Sequence, residues 1–229
     1  QAAKVRYMFG GKQKVPMVVR TVVGAGFRAG SEHSQTLYSL YTHIPGLKVV
    51  APYDAYDAKG LLLSSIKDDD PVIFMESELM YGDKGQVPEE EYLIPIGKSK
   101  IVHEGNDVTL VSFGKMMKVA EETYLAAQKE GINIEVIDLR SVRPIDFESI
   151  VNSVKKTNRL VIIEEAWPLA SISSEISHHI QRFAFDYLDA PVHRITCEDV
   201  PFHYAPTLIK EITPNVEKGL KAVKSVMYR

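Results

Sequence analysis

Histidines, grouped carboxylates and a single cysteine are the side chains of this 229-residue chain with chemistry beyond packing. His33 stands out among them. It follows the glycine-rich stretch Gly24-Ala25-Gly26-Phe27-Arg28-Ala29-Gly30, which follows the apolar run Val15-Pro16-Met17-Val18-Val19-Arg20. That order puts an imidazole at a helix start near the carboxyl end of a strand, where open α/β sheets hold ligands. Helix-start N–H groups favour anions, and an imidazole there could donate to a carboxylate or shuttle a proton. The same position also suits a partly buried histidine bonded to a backbone carbonyl. Asp68, Asp69 and Asp70 make an acidic knot at an expected helix end. Exposed carbonyls and carboxylates are hard donors, suited to an alkali or alkaline-earth cation. A solvated turn is the plainer reading.

Other candidates carry less. His178 and His179 are adjacent and so do not share a helix face, which suits a surface better than a metal. His203, in Pro201-Phe202-His203-Tyr204, reads as loop packing. Trp167, in Glu164-Glu165-Ala166-Trp167-Pro168, is the single tryptophan and suits aromatic packing or a partner surface. The glycine stretch is no dinucleotide fingerprint: its third glycine is one position late, and Val49-Val50-Ala51 lies where an acidic residue is expected. Cys197 alone can make no internal disulfide and no cysteine metal cage. The charge of −3, from 27 basic and 30 acidic residues, removes the broad electrostatic case for nucleic acid. No apolar run approaches the ~18 residues that a membrane span needs.

The elements that must position these residues alternate. Val15–Arg20 reads as a strand, Thr21–Gly30 as a loop, and Glu32–His43 as a helix that Ser31 caps, with Leu37, Leu40 and Tyr41 on one face. Leu47–Ala51 is a strand, Asp54 caps the next helix, and Val72–Met75 is a strand. Pro71 disfavours helical geometry at Asp70. Glu89-Glu90-Glu91 breaks the pattern between Tyr81 and Ile96, and the domain boundary is expected there, dividing 1–92 from 93–229. A second series follows: strands at Val108–Phe113, Ile134–Asp138, Arg159–Ile163 and Val192–Thr196, with helices after Gly114, after Asp146, at Ile172–Phe183 and at Glu217–Val226. Strands apolar throughout belong to sheets covered on both faces. The expected class is therefore α/β: two successive domains with mainly parallel sheets.

At several long segments the chain resembles the beta subunits of heterotetrameric, thiamine-diphosphate-dependent 2-oxoacid dehydrogenases, most of all those specific for pyruvate. The segments include Tyr7-Met8-Phe9-Gly10-Gly11, Glu32-His33-Ser34-Gln35, His43-Ile44-Pro45-Gly46-Leu47-Lys48-Val49-Val50-Ala51-Pro52 and Asp70-Pro71-Val72-Ile73-Phe74-Met75-Glu76. Asp138-Leu139-Arg140, Arg143-Pro144, Glu165-Ala166-Trp167-Pro168 and Asp199-Val200-Pro201 extend it through the second half.

The resemblance implies a transketolase-like fold. Residues 1–92 would be the distal part of the pyrimidine-binding domain, and 93–229 the carboxyl-terminal domain. It implies oxidative decarboxylation of a small 2-oxoacid, pyruvate first, with acetyl transfer to a lipoyl group. Branched-chain 2-oxoacid or acetoin dehydrogenase is the near alternative, because Thr21-Val22-Val23-Gly24-Ala25-Gly26 departs from the Gly-Pro-Asn-Gly version of many pyruvate enzymes. A non-catalytic interaction module is the alternative of another class. His33 would bind the substrate carboxylate and assist transfer. Met17, Ser65, Ile66, Asp68 and Asp70 would hold potassium, mostly through backbone oxygens, and Asp189 would lie near the surface that docks the acyltransferase core. The cofactor, with magnesium, would be shared with an alpha subunit, and the glutamate that contacts its pyrimidine is expected upstream of Gln1. A second beta subunit is implied too, with a bacterial cytoplasm or a mitochondrial matrix as location.

Overall fold

The computed structural model describes residues 1–229 except the side chain of Phe27. A short helix, α1 (Ala2–Met8), precedes strand β1 (Val18–Val22). Helices α2 (Gly30–His33) and α3 (Tyr38–Thr42), strand β2 (Lys48–Val50), helix α4 (Ala55–Ile66) and strand β3 (Val72–Glu76) complete the first series. The second comprises β4 (Lys100–His103), β5 (Val108–Ser112), α5 (Met116–Lys129), β6 (Ile134–Asp138), β7 (Ser141–Arg143), α6 (Phe147–Thr157), β8 (Leu160–Ile163), α7 (Ile172–Phe183), β9 (His193–Ile195), α8 (Pro206–Ile212) and α9 (Val216–Val226).

Two sheets result, in the orders β1-β3-β2-β7 and β4-β6-β5-β8-β9. β1, β3 and β2 run parallel, as do β6, β5, β8 and β9. The antiparallel members are β7 against β2 and β4 against β6. Every residue of β3, β5, β6 and β8 is buried, as expected for strands with helices on both faces. Local capping starts α4, α6, α7 and α9, whereas α5, the longest helix, begins without a side-chain cap. The side chains of Asp54, Asp146, Ser171 and Asn215 accept the backbone N–H of Asp57, Ser149, Ser174 and Lys218 respectively.

Three local expectations change. The helix expected over 32–43 is two short helices joined by the non-helical residues 34–37. Its apolar spacing is real, but the Gln35 carbonyl accepts the N–H of Gly24 and the Ser34 hydroxyl accepts that of Ala29, and both bonds need the chain to leave the helix. Ser31 caps nothing; its hydroxyl donates to the Phe202 carbonyl instead. β7 is too short and too close to Pro144 to read as a strand, yet it follows β6 in sequence and completes the first sheet.

One core therefore runs across both series. Val49, Ala51, Ile73 and Met75 of the first pack in a cluster with Val111, Phe113, Ile137, Leu139 and Ile162 of the second. The Asp57 carboxylate, with no exposure, accepts two bonds from the Arg140 guanidinium, at 3.0 and 2.7 Å. No helix is long and apolar enough to cross a membrane among the described residues.

Candidate functional site

Residues 24–35 leave the carboxyl end of β1 and return beside it. Gly24 N–H donates to the Gln35 carbonyl at 2.9 Å, closing the neck of a compact loop. Inside it, the Ser34 N–H bonds to the Gly30 carbonyl (3.0 Å) and the Ala29 N–H to the Ser34 hydroxyl (2.9 Å). Ser34 is fully buried, whereas Arg28, Glu32 and His33 are exposed. His33 is the last residue of α2 and faces solvent, not a hydrophobic interior.

The loop is held from the second series. Ala25 N–H donates to a Glu165 carboxylate oxygen at 3.1 Å, and the same oxygen accepts the Lys115 ammonium. Gly24 sits at φ +104°, and a Cβ there would come within 2.4 Å of the other Glu165 oxygen. Only glycine permits this approach. Gly26 is held as closely to Leu79. Ala25 has no exposure and packs with Cys197, Phe202 and Ile212. Trp167 closes that cluster: its ring lies 5.1 Å from that of Phe202, and its indole N–H donates to the Val200 carbonyl at 2.7 Å. Packing is thus the role the structure gives Trp167. Burial pushes the Cys197 thiol up, so it stays protonated and inert. Under the loop, Tyr38, Ser77, Lys115 and Glu165 border a cavity of about 10 Å³, room for one water at most. Burial, then Glu165 and Glu164, push the Tyr38 phenol up.

The acidic knot is already charge-balanced. Lys48 donates to both Asp68 oxygens, at 2.7 and 2.6 Å, and lies 3.5 Å from Asp70. Arg6 reaches Asp70 at 3.5 Å, and Lys14 reaches Asp69 at 2.9 Å. The Met17 carbonyl accepts Val72 N–H, the Ser65 carbonyl accepts Asp68 N–H, and the Ser65 hydroxyl bonds back to Leu61. Met17 and Ile66 have exposed side chains. Carbonyl oxygens, each with a second lone pair, are therefore the donors that fit a cation here. Among the described residues no three His, Cys, Asp or Glu side chains converge as a metal site. Exposed cationic or titratable groups also stand on the loop at the end of β1, in Arg28 and His33.

Asp189 is half-exposed, 3.1 Å from Arg159, and its carbonyl accepts the Tyr228 hydroxyl at 2.8 Å. His179 stacks on Phe147 with ring centroids 3.8 Å apart, while His178 is exposed. His203 is partly buried in the loop beside Phe202. Among the described residues, the ion pairs of the acidic knot and of Asp189 are separate and neither includes His33. Sequence reasoning missed Glu165 and Lys115. A pair of carboxylates directly after an apolar strand was the available signal, but its partner loop lies 140 residues away.

Comparison with known proteins places the two halves of the chain in known domain families. Residues 1–84 match the family model for the transketolase pyrimidine-binding domain, and residues 97–218 that for the transketolase C-terminal domain. The chain is 51% identical to the acetoin:2,6-dichlorophenolindophenol oxidoreductase subunit beta of Bacillus subtilis, over 95% of this chain and 64% of that protein. It is 47% identical to the pyruvate dehydrogenase E1 component subunit beta of Rickettsia felis, over 99% of this chain and 70% of that one. Against the protein of that name from Rhizobium meliloti it is 48% identical over its whole length, half of the relative's. The chain thus spans about half to 70% of these relatives. A solved structure titled as a split-gene transketolase, an inactive beta4 tetramer, shares the fold with a TM-score of 0.76 at 22% identity, covering 94% of this chain and 67% of its own. With a family model over each half, and a relative 47% identical along 99% of this chain, the chain belongs to the transketolase-like family of two-domain α/β subunits that includes the pyruvate dehydrogenase E1 component beta subunits.

Proposed function

We propose that this chain is the beta-subunit part of a thiamine-diphosphate-dependent pyruvate dehydrogenase, active only with an alpha subunit. The observation that carries the reading is His33: exposed, and fixed on a clamped loop at the carboxyl end of a parallel sheet. The names of the relatives from Rickettsia and Rhizobium support pyruvate as substrate.

Bound thiamine diphosphate would supply the nucleophilic carbon and the electron sink for decarboxylation. The chain's own residues have the remaining work. The His33 imidazole would donate to the substrate carboxylate and then move a proton during transfer to the lipoyl group. Arg28, also exposed on this loop, adds a permanent positive charge to it. Magnesium and the diphosphate would be held by the alpha subunit. A second beta subunit would complete the tetramer. Asp189 would stand near the docking surface for the acyltransferase core, in a bacterial cytoplasm or a mitochondrial matrix. The domain division at 92/93 and a potassium ion on the carbonyls of Met17, Ser65, Ile66 and the Asp68–Asp70 turn belong to the same reading.

Acetoin is the second substrate to consider, favoured by the relative at 51% identity. The test uses the full-length beta chain assembled with its alpha subunit. Pyruvate should support acetyl transfer to a lipoyl domain, and turnover of acetoin or of branched-chain 2-oxoacids in its place would reject pyruvate. His33→Ala should lower the transfer rate on the order of 10²-fold with the tetramer intact. An unchanged rate would reject catalysis by His33 and favour a non-catalytic interaction module.

A further inference from the structure

The backbone of loop 24–35 is stapled to itself, but those staples fix only its shape. Where the loop sits on the molecule is decided by its ties to residues outside it. Two of these are hydrogen bonds to the second series: Ala25 N–H to Glu165 at 3.1 Å, and the Ser31 hydroxyl to the Phe202 carbonyl at 2.9 Å. They bracket the segment that leads into α2 and His33. The first is the more demanding. Ala25 has no exposure, so its N–H has no water to turn to if the acceptor is lost. The Glu165 side chain is 7% exposed and its partner Lys115 15%. A desolvated carboxylate of this kind persists only with its charge balanced and its lone pairs used. Lys115 does the first, and Ala25 N–H contributes to the second. The loop in turn is shaped to receive the carboxylate, because Gly24, with its positive φ, leaves room for the second oxygen against the backbone.

We propose that Glu165 is a positioning residue for His33: its carboxylate, balanced by Lys115, clamps the backbone of loop 24–35 to the carboxyl-terminal unit and thereby sets where the imidazole stands. The proposal rests on the reading of His33 as the catalytic group. Its consequence is that a residue with no direct bond to His33 controls turnover from the other unit of the fold.

The test uses the full-length beta chain assembled with alpha. In Glu165→Ala, hydrogen exchange of backbone amides in peptides covering 24–35 should accelerate about tenfold or more, while β5 peptides exchange as in the wild type. Acetyl transfer should fall on the order of 10- to 100-fold, as expected for a displaced reacting group. In a His33→Ala background the same substitution should cost less than about twofold further, because the two residues act as one unit. Glu165→Gln keeps an acceptor for Ala25 but not the charge. It should recover part of both losses, and it carries the test if Glu165→Ala fails to assemble; wild-type exchange and turnover in it would then overturn the proposal. Unchanged exchange in 24–35 overturns the clamp. Full additivity with His33→Ala overturns the positioning role. If His33→Ala alone leaves transfer intact, the catalytic reading falls, and the exchange result by itself still decides whether Glu165 holds the loop.

Discussion

Asp138 ends β6 with no exposure; one of its oxygens accepts the Arg140 N–H at 2.9 Å and the other has no partner. Burial, reinforced by the neighbouring Asp57 carboxylate, pushes its carboxyl up to about 8, against the pull of the Arg140 N–H. In the unfolded chain the group titrates near ~3.9. Between those values the folded state keeps the proton and the unfolded state has lost it. The unfolded state then binds fewer protons, so this contribution to stability is present below ~4 and is lost as pH rises through the folded value. Asp138→Asn keeps the acceptor for Arg140 and removes the titration. Urea unfolding at a series of pH values should give a stability that falls less steeply between about pH 5 and 8, by up to ~1.4 kcal/mol per unit. An identical slope in both proteins would show that Asp138 does not carry it.

At the scale of elements, the end of α4 joins Asp68, Asp69 and Asp70 to Lys48 on β2 and to Arg6 on α1. With the carboxylates so engaged, a bound cation would rest on carbonyl oxygens, which suits a weakly hydrated monovalent ion better than magnesium. Replacing sodium by potassium at constant ionic strength should therefore raise the melting temperature. At ten times the dissociation constant the gain would be about 1.4 kcal/mol. Equal melting in both salts would remove the ion from the account. The three carboxylates of the knot were legible in the residue order. The cations already facing it were not, because Arg6 and Lys48 are brought there by α1 and the sheet. The split of the expected 32–43 helix has a similar origin. Apolar spacing at Leu37, Leu40 and Tyr41 reports the buried face but not the loop-neck bond from Gly24 to Gln35.

For the whole molecule, β7, the shared core and the Asp57–Arg140 pair tie the two series together. They should unfold in one transition, with calorimetric and van't Hoff enthalpies equal. Arg140→Met should destabilise that transition by roughly 3 kcal/mol, because it strands a buried carboxylate. Burial already holds the Asp57 carboxyl above its usual range despite the guanidinium, so the pair compensates its own desolvation only in part. Replacing both partners, Asp57→Leu with Arg140→Met, should accordingly recover much of the loss. Two separate transitions in a calorimetric scan would contradict this account of the fold.

Strand and helix alternation, the caps at Asp54 and Asp146, the α/β class and the prominence of His33 could be read from residue order alone, because periodicity, capping and backbone constraint act over a few neighbours. The enrolment of β7 in the first sheet, the basic side chains at the acidic knot and the Glu165 bond to Ala25 could not. Each joins groups far apart in the chain, and only closure of a common core brings them within bonding distance.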